Sequence, residues 1–140
     1  MNKEFLNILM ENANKSLEYG DVPVGAIIIK DGNILSTGFN TREKDQNILG
    51  HAEINAIIDA QKQLNNWNLS GCDLYVTLIP CSMCMEIIKQ SRIDNVYFIL
   101  DKPTSKKEFS QTKLVKIEED VYETKFSEIL SDFFKKLREK

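Results

Sequence analysis

Two cysteines of this chain are separated by two residues in the stretch Pro-Cys-x-x-Cys at positions 80–84. Cys81 and Cys84 lie at the predicted start of a helix, where residues three positions apart share a face. The positive end of the helix dipole lowers the pKa of a thiol there and so favours the thiolate. Taken alone, the pair is compatible with a metal site, with a redox-active dithiol, or with two small buried side chains.

A second short motif, His-Ala-Glu, occupies positions 51–53 at the predicted start of another helix. A lone histidine is more often an ordinary core or surface residue than a ligand, and a first-turn carboxylate is explained by the helix dipole. His51 precedes Cys81 by thirty residues. Because the two motifs together supply one nitrogen and two sulfur ligands, their combination favours a metal site, which neither motif establishes alone.

Zinc suits this ligand set because it binds imidazole and thiolate in a tetrahedron. His51 is the only histidine of the chain, and the third cysteine, Cys72, lies on the approach to a predicted strand, where we expect a buried apolar residue. With three protein ligands the fourth position is left to water, as in catalytic zinc sites. We therefore predict one Zn²⁺ per chain, held by His51, Cys81 and Cys84.

Glu53 is the predicted proton carrier of this site. It lies two residues from His51, so it can reach a zinc-bound water without binding the metal itself. Zinc lowers the pKa of its water toward ~7 and provides hydroxide at neutral pH. A departing amine must be protonated, and a carboxyl group beside the water can move the protons. This residue pattern is the signature of zinc-dependent nucleobase deaminases.

Alternating helices and strands are predicted to position these motifs. The periodicity of apolar residues and the turn signals predict strands over 24–30, 33–39, 74–78, 96–100 and 114–117. They predict helices over 3–19, 51–64, 81–91 and from about 122 to the end. In the second helix, Ile54, Ile57, Ile58 and Leu64 form the predicted buried side, and residues 40–50 and 101–113 are predicted loops. The order of elements predicts one α/β domain over residues 1–140.

Composition limits the classes of protein. With 140 residues, 42% of them hydrophobic and 28% charged, the chain has the size and make-up of an ordinary globular domain. It has no run of ~18 apolar residues and no apolar secretory signal, so we expect a cytoplasmic protein without a membrane span. An odd number of cysteines argues against a disulfide framework. The formal net charge of −3 gives no general attraction to nucleic acid, so RNA binding would require local basic patches.

Most of the chain resembles the cytidine deaminase-like superfamily and, within it, the bacterial tRNA-specific adenosine deaminases. The His-Ala-Glu and Pro-Cys-x-x-Cys motifs are typical of the superfamily. Val-Pro-Val-Gly at 22–25, Ser-Arg-Ile at 91–93 and Ser-Asp-Phe-Phe at 131–134 are typical of the tRNA group. Free cytidine deaminases usually carry Cys where this chain has His51, so the resemblance favours the tRNA group.

This resemblance implies a three-layer α/β/α fold, with a central five-stranded mixed sheet flanked by helices. It implies hydrolytic deamination of adenosine to inosine at the wobble position of a tRNA anticodon loop. It also implies a homodimer whose second subunit helps to form the site. By position, Asn40 would hydrogen-bond the flipped base, Val24 would line the pocket, and the backbone amide of Ala52 would face the base.

The chain departs from these relatives in two places. Ile79 stands where they usually carry Glu, which affects the support of the metal ligands rather than ligation itself. Residues 101–113 are shorter than the corresponding Arg-Asp and Gly-rich segment and are rich in lysine. Two groups of cations are candidates for phosphate contacts or for ordinary solvated surface: Lys102, Lys106, Lys107 and Lys113, and Lys135, Lys136, Arg138 and Lys140.

Two other functions stay open from the sequence. One is a zinc-dependent deaminase of a free nucleobase or nucleotide such as guanine or cytosine, which the net acidity favours. The other is a catalytically silent zinc-binding partner subunit, which the retention of Glu53 and of an open ligand position opposes.

Overall fold

The computed structural model describes residues 2–102 and 111–139. Within them, five strands form one sheet in the order β2-β1-β3-β4-β5. The strands are β1 Gly25–Lys30, β2 Asn33–Phe39, β3 Cys72–Leu78, β4 Asn95–Leu100 and β5 Lys113–Lys116. The helices are α1 Lys3–Leu17, α2 Arg42–Asp45, α3 Ala52–Leu64, α4 Ser82–Gln90 and α5 Asp120–Arg138. No helix in the described part of the chain is long and apolar enough to span a membrane.

The sheet is mixed and covered on both faces. Strand β1 pairs antiparallel with β2 and β3, whereas β3, β4 and β5 run parallel. Helix α1 packs on β1, β2 and β3, and α5 packs on β4 and contacts α1. Helix α3 packs on β1, β2 and β3 and contacts α4. The three-layer α/β/α fold with a five-stranded mixed sheet, implied by the resemblance, is confirmed.

Strand direction brings the predicted motifs to one edge of the sheet. Because β1 is antiparallel to both β2 and β3, and β3 is parallel to β4, the carboxyl ends of β2, β3 and β4 meet the amino end of β1. Asn40 follows β2, Cys81 follows β3, Asp101 follows β4 and Val24 precedes β1. Ligand sites of open α/β sheets form at such an edge, beyond the carboxyl ends of the strands.

The core lies between the sheet and its helices. Ala26, Ile27 and Ile28 of β1 are fully buried, as expected for the central strands of a sheet covered on both faces. Gly38 of β2 is in close contact with the Ala52 carbonyl of α3, where a Cβ atom would overlap it. A glycine at this position therefore allows the first turn of α3 to pack directly on β2.

The structure differs from the predicted elements in three details. Residues 40–50 include the short helix α2, and β3 begins at Cys72, which is fully buried as expected. In α3, Ile54 and Ile57 are buried, but Ile58 is 42% exposed, so its predicted burial is wrong. The predicted apolar stripe was one residue too wide, because Ile58 lies beyond the side that packs on the sheet. Lys106, Lys107 and Lys140 lie outside the described residues.

Candidate metal centre and active site

The three predicted metal ligands converge at the carboxyl edge of the sheet. His51 is the N-cap of α3, Cys81 is the N-cap of α4, and Cys84 lies in the first turn of α4. Nδ1 of His51 lies 3.8 Å from Sγ of Cys81 and 3.4 Å from Sγ of Cys84. Tetrahedral zinc with its usual Zn–N and Zn–S lengths requires N···S separations of about 3.6 Å. The residues present therefore fit one zinc ion.

The helix ends leave these side chains available for ligation. His51 and Cys81 both have extended backbone conformations at N-cap positions, and neither side chain makes a capping hydrogen bond. N-cap positions usually hold residues whose side-chain oxygen accepts a backbone hydrogen bond. Helices α3 and α4 therefore lack the stabilisation that a side-chain cap would provide at these positions. The α4 dipole in turn favours negative charge on the two sulfurs.

The two thiols are electrostatically coupled. A hydrogen bond from Cys84 lowers the pKa of Cys81 to about 5, although burial opposes this shift. The pKa of Cys84 is raised, because it donates that bond to Cys81 and because it is buried. A divalent cation bound by both sulfurs would take the place of the Cys84 proton and stabilise both thiolates.

The ligand group has three members in the described part of the chain, and all their ligand atoms lie within 4.8 Å of one another. Cys72 does not belong to it and is buried in β3. With three protein ligands, a tetrahedral ion retains one position for a small molecule. A zinc ion held by these three residues would have the coordination of a catalytic site and not of a structural one.

Glu53 lies beside this group in the first turn of α3 and is 4% exposed. Burial raises the pKa of its carboxyl group, partly opposed by a backbone hydrogen bond and by His51. A carboxyl group with a raised pKa in a cleft is suited to taking up and returning a proton near neutral pH.

A cavity of about 420 Å³ opens over His51, Glu53 and Cys81. This volume lies in the range of small-molecule sites. Polar residues, including Asn40, form part of its lining. Apolar residues from three strand ends and from α5 form another part, which we call the apolar wall: Val24, Leu78, Ile79, Leu100, Leu130 and Phe134. A flat heteroaromatic ring can pack on such apolar side chains while its polar edge meets the polar ones.

The residues predicted to bind substrate occupy different places. Asn40 and Val24 line the cavity. Ala52 is fully buried and is not among the lining residues, and its backbone N–H donates to Oδ1 of Asn40 at 2.8 Å. The Ala52 amide is therefore engaged with Asn40, and the expectation that it faces the base stays a prediction.

Ile79 forms part of the apolar wall. Its side chain is 2% exposed, and its backbone N–H donates to the carbonyl of Leu100 at 2.8 Å. At the position where the resemblance leads us to expect Glu, this chain therefore supplies apolar surface to the cavity.

Sequence reasoning missed several contributors to the cavity. Asp21 is 2% exposed and accepts hydrogen bonds from the backbone nitrogens of Glu43 at 2.7 Å and Lys44 at 3.2 Å. These contacts stabilise the first turn of α2, which places Arg42 on the cavity rim. The acceptor lies more than twenty residues from the helix, so local sequence carries no signal for it. Leu130 and Phe134 lie in the predicted C-terminal helix, but the sequence did not assign them to the site.

A mixed sheet between helices, with a zinc site of one nitrogen and two sulfurs and a buried glutamate at its edge, defines a hydrolytic zinc-dependent deaminase. The model of the family described as "Cytidine and deoxycytidylate deaminase zinc-binding region" matches residues 1–100. The chain is 42% identical to the tRNA-specific adenosine deaminase of Aquifex aeolicus (strain VF5), over 99% of this chain and 97% of that protein. The chain therefore belongs to this zinc-binding deaminase family, alongside the tRNA-specific adenosine deaminases, as its resemblance predicted.

Two solved structures show similar folds. One, from a study of A-to-I editing by tRNA:A34 deaminases at the wobble position, superposes with a TM-score of 0.76 at 27% identity, covering 82% of this chain and 98% of that one. The other, a guanine deaminase from Bacillus subtilis, superposes with a TM-score of 0.67 at 34% identity, covering 72% of this chain and 66% of that one.

Proposed function

We propose that this protein deaminates adenosine to inosine at the wobble position of a tRNA anticodon loop. The observation that carries the proposal is the placement of Glu53 beside the His51, Cys81 and Cys84 group at a cavity of about 420 Å³, which is large enough for a nucleobase. The assignment of tRNA as the substrate, instead of a free base, is supported by the relative of 42% identity, whose similarity extends over almost the whole of both chains.

The reaction exchanges the exocyclic amine of adenine for an oxygen of water and releases ammonia. His51, Cys81 and Cys84 would hold the zinc ion, which would supply hydroxide at neutral pH by lowering the pKa of a water molecule. Glu53 takes the proton of the attacking water and delivers it to the ring nitrogen beside the reacting carbon. It then transfers the remaining oxygen-bound proton to the amine, so that ammonia leaves in neutral form. Glu53 suits this role because it lies beside the ligand group and lines the cavity in which a base would bind.

Asn40 is the proposed polar contact to the base. Its Oδ1 accepts from the Ala52 N–H, so the donors on its Nδ2 remain for a ligand in the cavity that Asn40 lines. Adenine carries ring-nitrogen acceptors on its edges. Once a base covers it, a half-buried donor of this kind discriminates against a base that leaves it unpaired. Val24 packs against the ring on the apolar side.

A second candidate is deamination of guanine, because one solved guanine deaminase shares 34% identity with this chain. Both bases carry a six-membered ring with an amine that the same zinc site could hydrolyse. They differ in the groups presented to Asn40 and to the apolar wall, so a direct assay decides between them.

The deciding experiment incubates the zinc-loaded protein with an anticodon stem-loop that carries adenosine at the wobble position. Parallel reactions contain free adenosine, guanine and cytosine, and the control stem-loop carries guanosine at the wobble position. Products are quantified by liquid chromatography and mass spectrometry after nuclease digestion. We expect inosine from the first stem-loop alone. Formation of xanthine from guanine, without inosine from the stem-loop, would show that the protein is a guanine deaminase, which is the second candidate. No product from any substrate would favour a silent subunit.

We further propose that two copies associate and that the protein acts in the cytoplasm, where tRNA is processed. Ile58 supports association, because it exposes 42% of its surface in the middle of α3. Light scattering should give about twice the chain mass of 16.1 kDa. Ile58→Asp should shift the mass toward one chain, and a monomeric parent protein would contradict the proposed assembly.

A further inference from the structure

Two cations, Arg42 and Lys102, line the rim of the active-site cavity. Arg42 begins α2 after the end of β2, and Lys102 follows the end of β4. Strands β1 and β3 lie between those two strands. Three inter-strand spacings amount to about 14 Å. The two long side chains therefore reach the cavity from opposite flanks of the sheet edge.

The position of Arg42 is fixed by its backbone surroundings. The buried Asp21 carboxylate holds the amides of Glu43 and Lys44, and the N–H of Thr41 donates to the carbonyl of Gly50 at 2.8 Å. The Arg42 guanidinium remains accessible, because the side chain is 55% exposed. It forms an ion pair with Glu43 at 3.4 Å. An exposed ion pair of this kind is weak. Arg42 can exchange it for a phosphate, which it binds through two parallel hydrogen bonds.

Three acidic residues, Asp21, Glu53 and Asp101, also line the cavity, and they neutralise the charge of the two cations to different extents. Asp21 is committed to two backbone amides and is almost completely buried, and Glu53 is buried at the cavity floor. Asp101 accepts from the backbone N–H of Lys102 at 2.7 Å. The Lys102 ammonium is one residue further along and lies on the rim. In a chain of net charge −3, attraction to a polyanion must come from such local positive groups.

We propose that Arg42 and Lys102 bind substrate phosphates on two sides of the target base, so that the site takes a phosphate-bearing nucleotide and not a bare base. This inference rests on the proposed function and adds a substrate-binding site to it. The phosphates belong either to the RNA backbone that flanks the target nucleotide or to a mononucleotide. The two sources share one recognition chemistry, and the experiment separates them.

The test uses Arg42→Gln and Lys102→Gln in the full-length, zinc-loaded protein. Lys44→Gln is the matched control for Arg42, because Lys44 lies on the same helix but does not line the cavity. Lys62→Gln on α3 is the exposed control for Lys102, because Lys62 does not line the cavity. The dissociation constant of a fluorescent anticodon stem-loop is measured over a range of KCl concentrations.

Each rim variant should weaken RNA binding about fivefold to tenfold at low salt and reduce the salt slope by about 0.7–0.9, the value for one lost phosphate contact. Arg42→Lys should retain most of the slope. The two controls should match the parent protein. If both rim variants bind the stem-loop with the affinity and the salt slope of the parent protein, Arg42 and Lys102 do not bind phosphates of the RNA.

Competition by adenosine and by adenosine 5′-monophosphate identifies the source of the phosphate. Equal competition by the two, together with reduced RNA slopes in the variants, assigns the phosphates to the RNA backbone. Stronger competition by the monophosphate, lost in Arg42→Gln or Lys102→Gln, assigns them to a mononucleotide. If neither result is obtained, the inference is wrong. Inosine formation by the parent protein is measured separately, so failure of the proposed function is distinguished from failure of the rim site.

Discussion

Oδ1 of Asn40 lies 2.8 Å from the backbone nitrogen of Ala52 and accepts its hydrogen bond. Ala52 is the first residue of α3 and follows the metal ligand His51. The Asn40 side chain therefore stabilises the end of the helix that carries the ligand, in place of the missing side-chain cap at His51. It also lines the cavity. One amide group thus connects the position of the metal site to the substrate pocket.

Substitutions at Asn40 should separate these two contributions. Asn40→Asp keeps an oxygen acceptor for Ala52 but removes the Nδ2 donors, so we expect a parent-like melting temperature with at least a tenfold loss of deamination. Asn40→Ala removes both and should also cost about 1 kcal/mol of stability, as for a lost helix cap. Calorimetry and turnover assays measure the two effects. Full activity in Asn40→Asp would show that Nδ2 does not bind the base.

Removal of the metal should destabilise the protein as well as inactivate it. Chelation, Cys81→Ser and Cys84→Ser should each reduce zinc from about one ion per chain and lower the melting temperature, because metal binding contributes to the stability of the folded state. Cys72→Ala is the matched control, since Cys72 is buried outside the ligand group. It should lose some stability but keep its zinc. Stoichiometric zinc in Cys84→Ser would exclude the assigned ligand set.

Replacing Glu53 should separate proton transfer from metal binding. Glu53→Gln is nearly isosteric and cannot carry a proton, so turnover should fall by at least 10²-fold, within the range of general acid–base catalysis. Zinc content should remain that of the parent protein. Glu86→Gln, on the exposed side of α4, serves as the control and should be fully active. Parent-like turnover in Glu53→Gln would assign the proton carrier to another group.

The metal ligands and the main elements were accessible from sequence because they depend on local patterns. His51, Cys81 and Cys84 lie at helix starts that short-range periodicity reveals, and the strand order then brings those starts together. The prediction of a three-ligand site needed only the combination of the two motifs, which lie thirty residues apart in the chain.

The missed features depend on partners that are distant in sequence. Helix α2 has four residues, which is too short for a periodic signal, and its amides are satisfied by Asp21. The engagement of the Ala52 amide depends likewise on a residue in another segment. Ile58 shows a different limit: helical spacing shows which residues share a face but not how much of that face the sheet covers.

Asp21 should act on substrate binding by positioning α2. Asp21→Ala leaves the Glu43 and Lys44 amides without their carboxylate partner, so α2 should no longer hold Arg42 at the cavity rim. We expect KM for the stem-loop to rise about tenfold, with kcat within a factor of three and zinc content unchanged. Asp21→Asn, which keeps an oxygen acceptor, should restore most of the affinity. Asp45→Ala is the exposed control on α2 and should behave as the parent.

A double substitution tests whether Asp21 acts through Arg42. If the carboxylate works by placing the guanidinium, adding Arg42→Gln to Asp21→Ala should raise KM little further, because residues that depend on one another show non-additive effects. Independent roles would instead multiply the two single effects. A multiplied effect, or loss of kcat and zinc in Asp21→Ala alone, would show that Asp21 supports the whole site and not specifically the Arg42 contact.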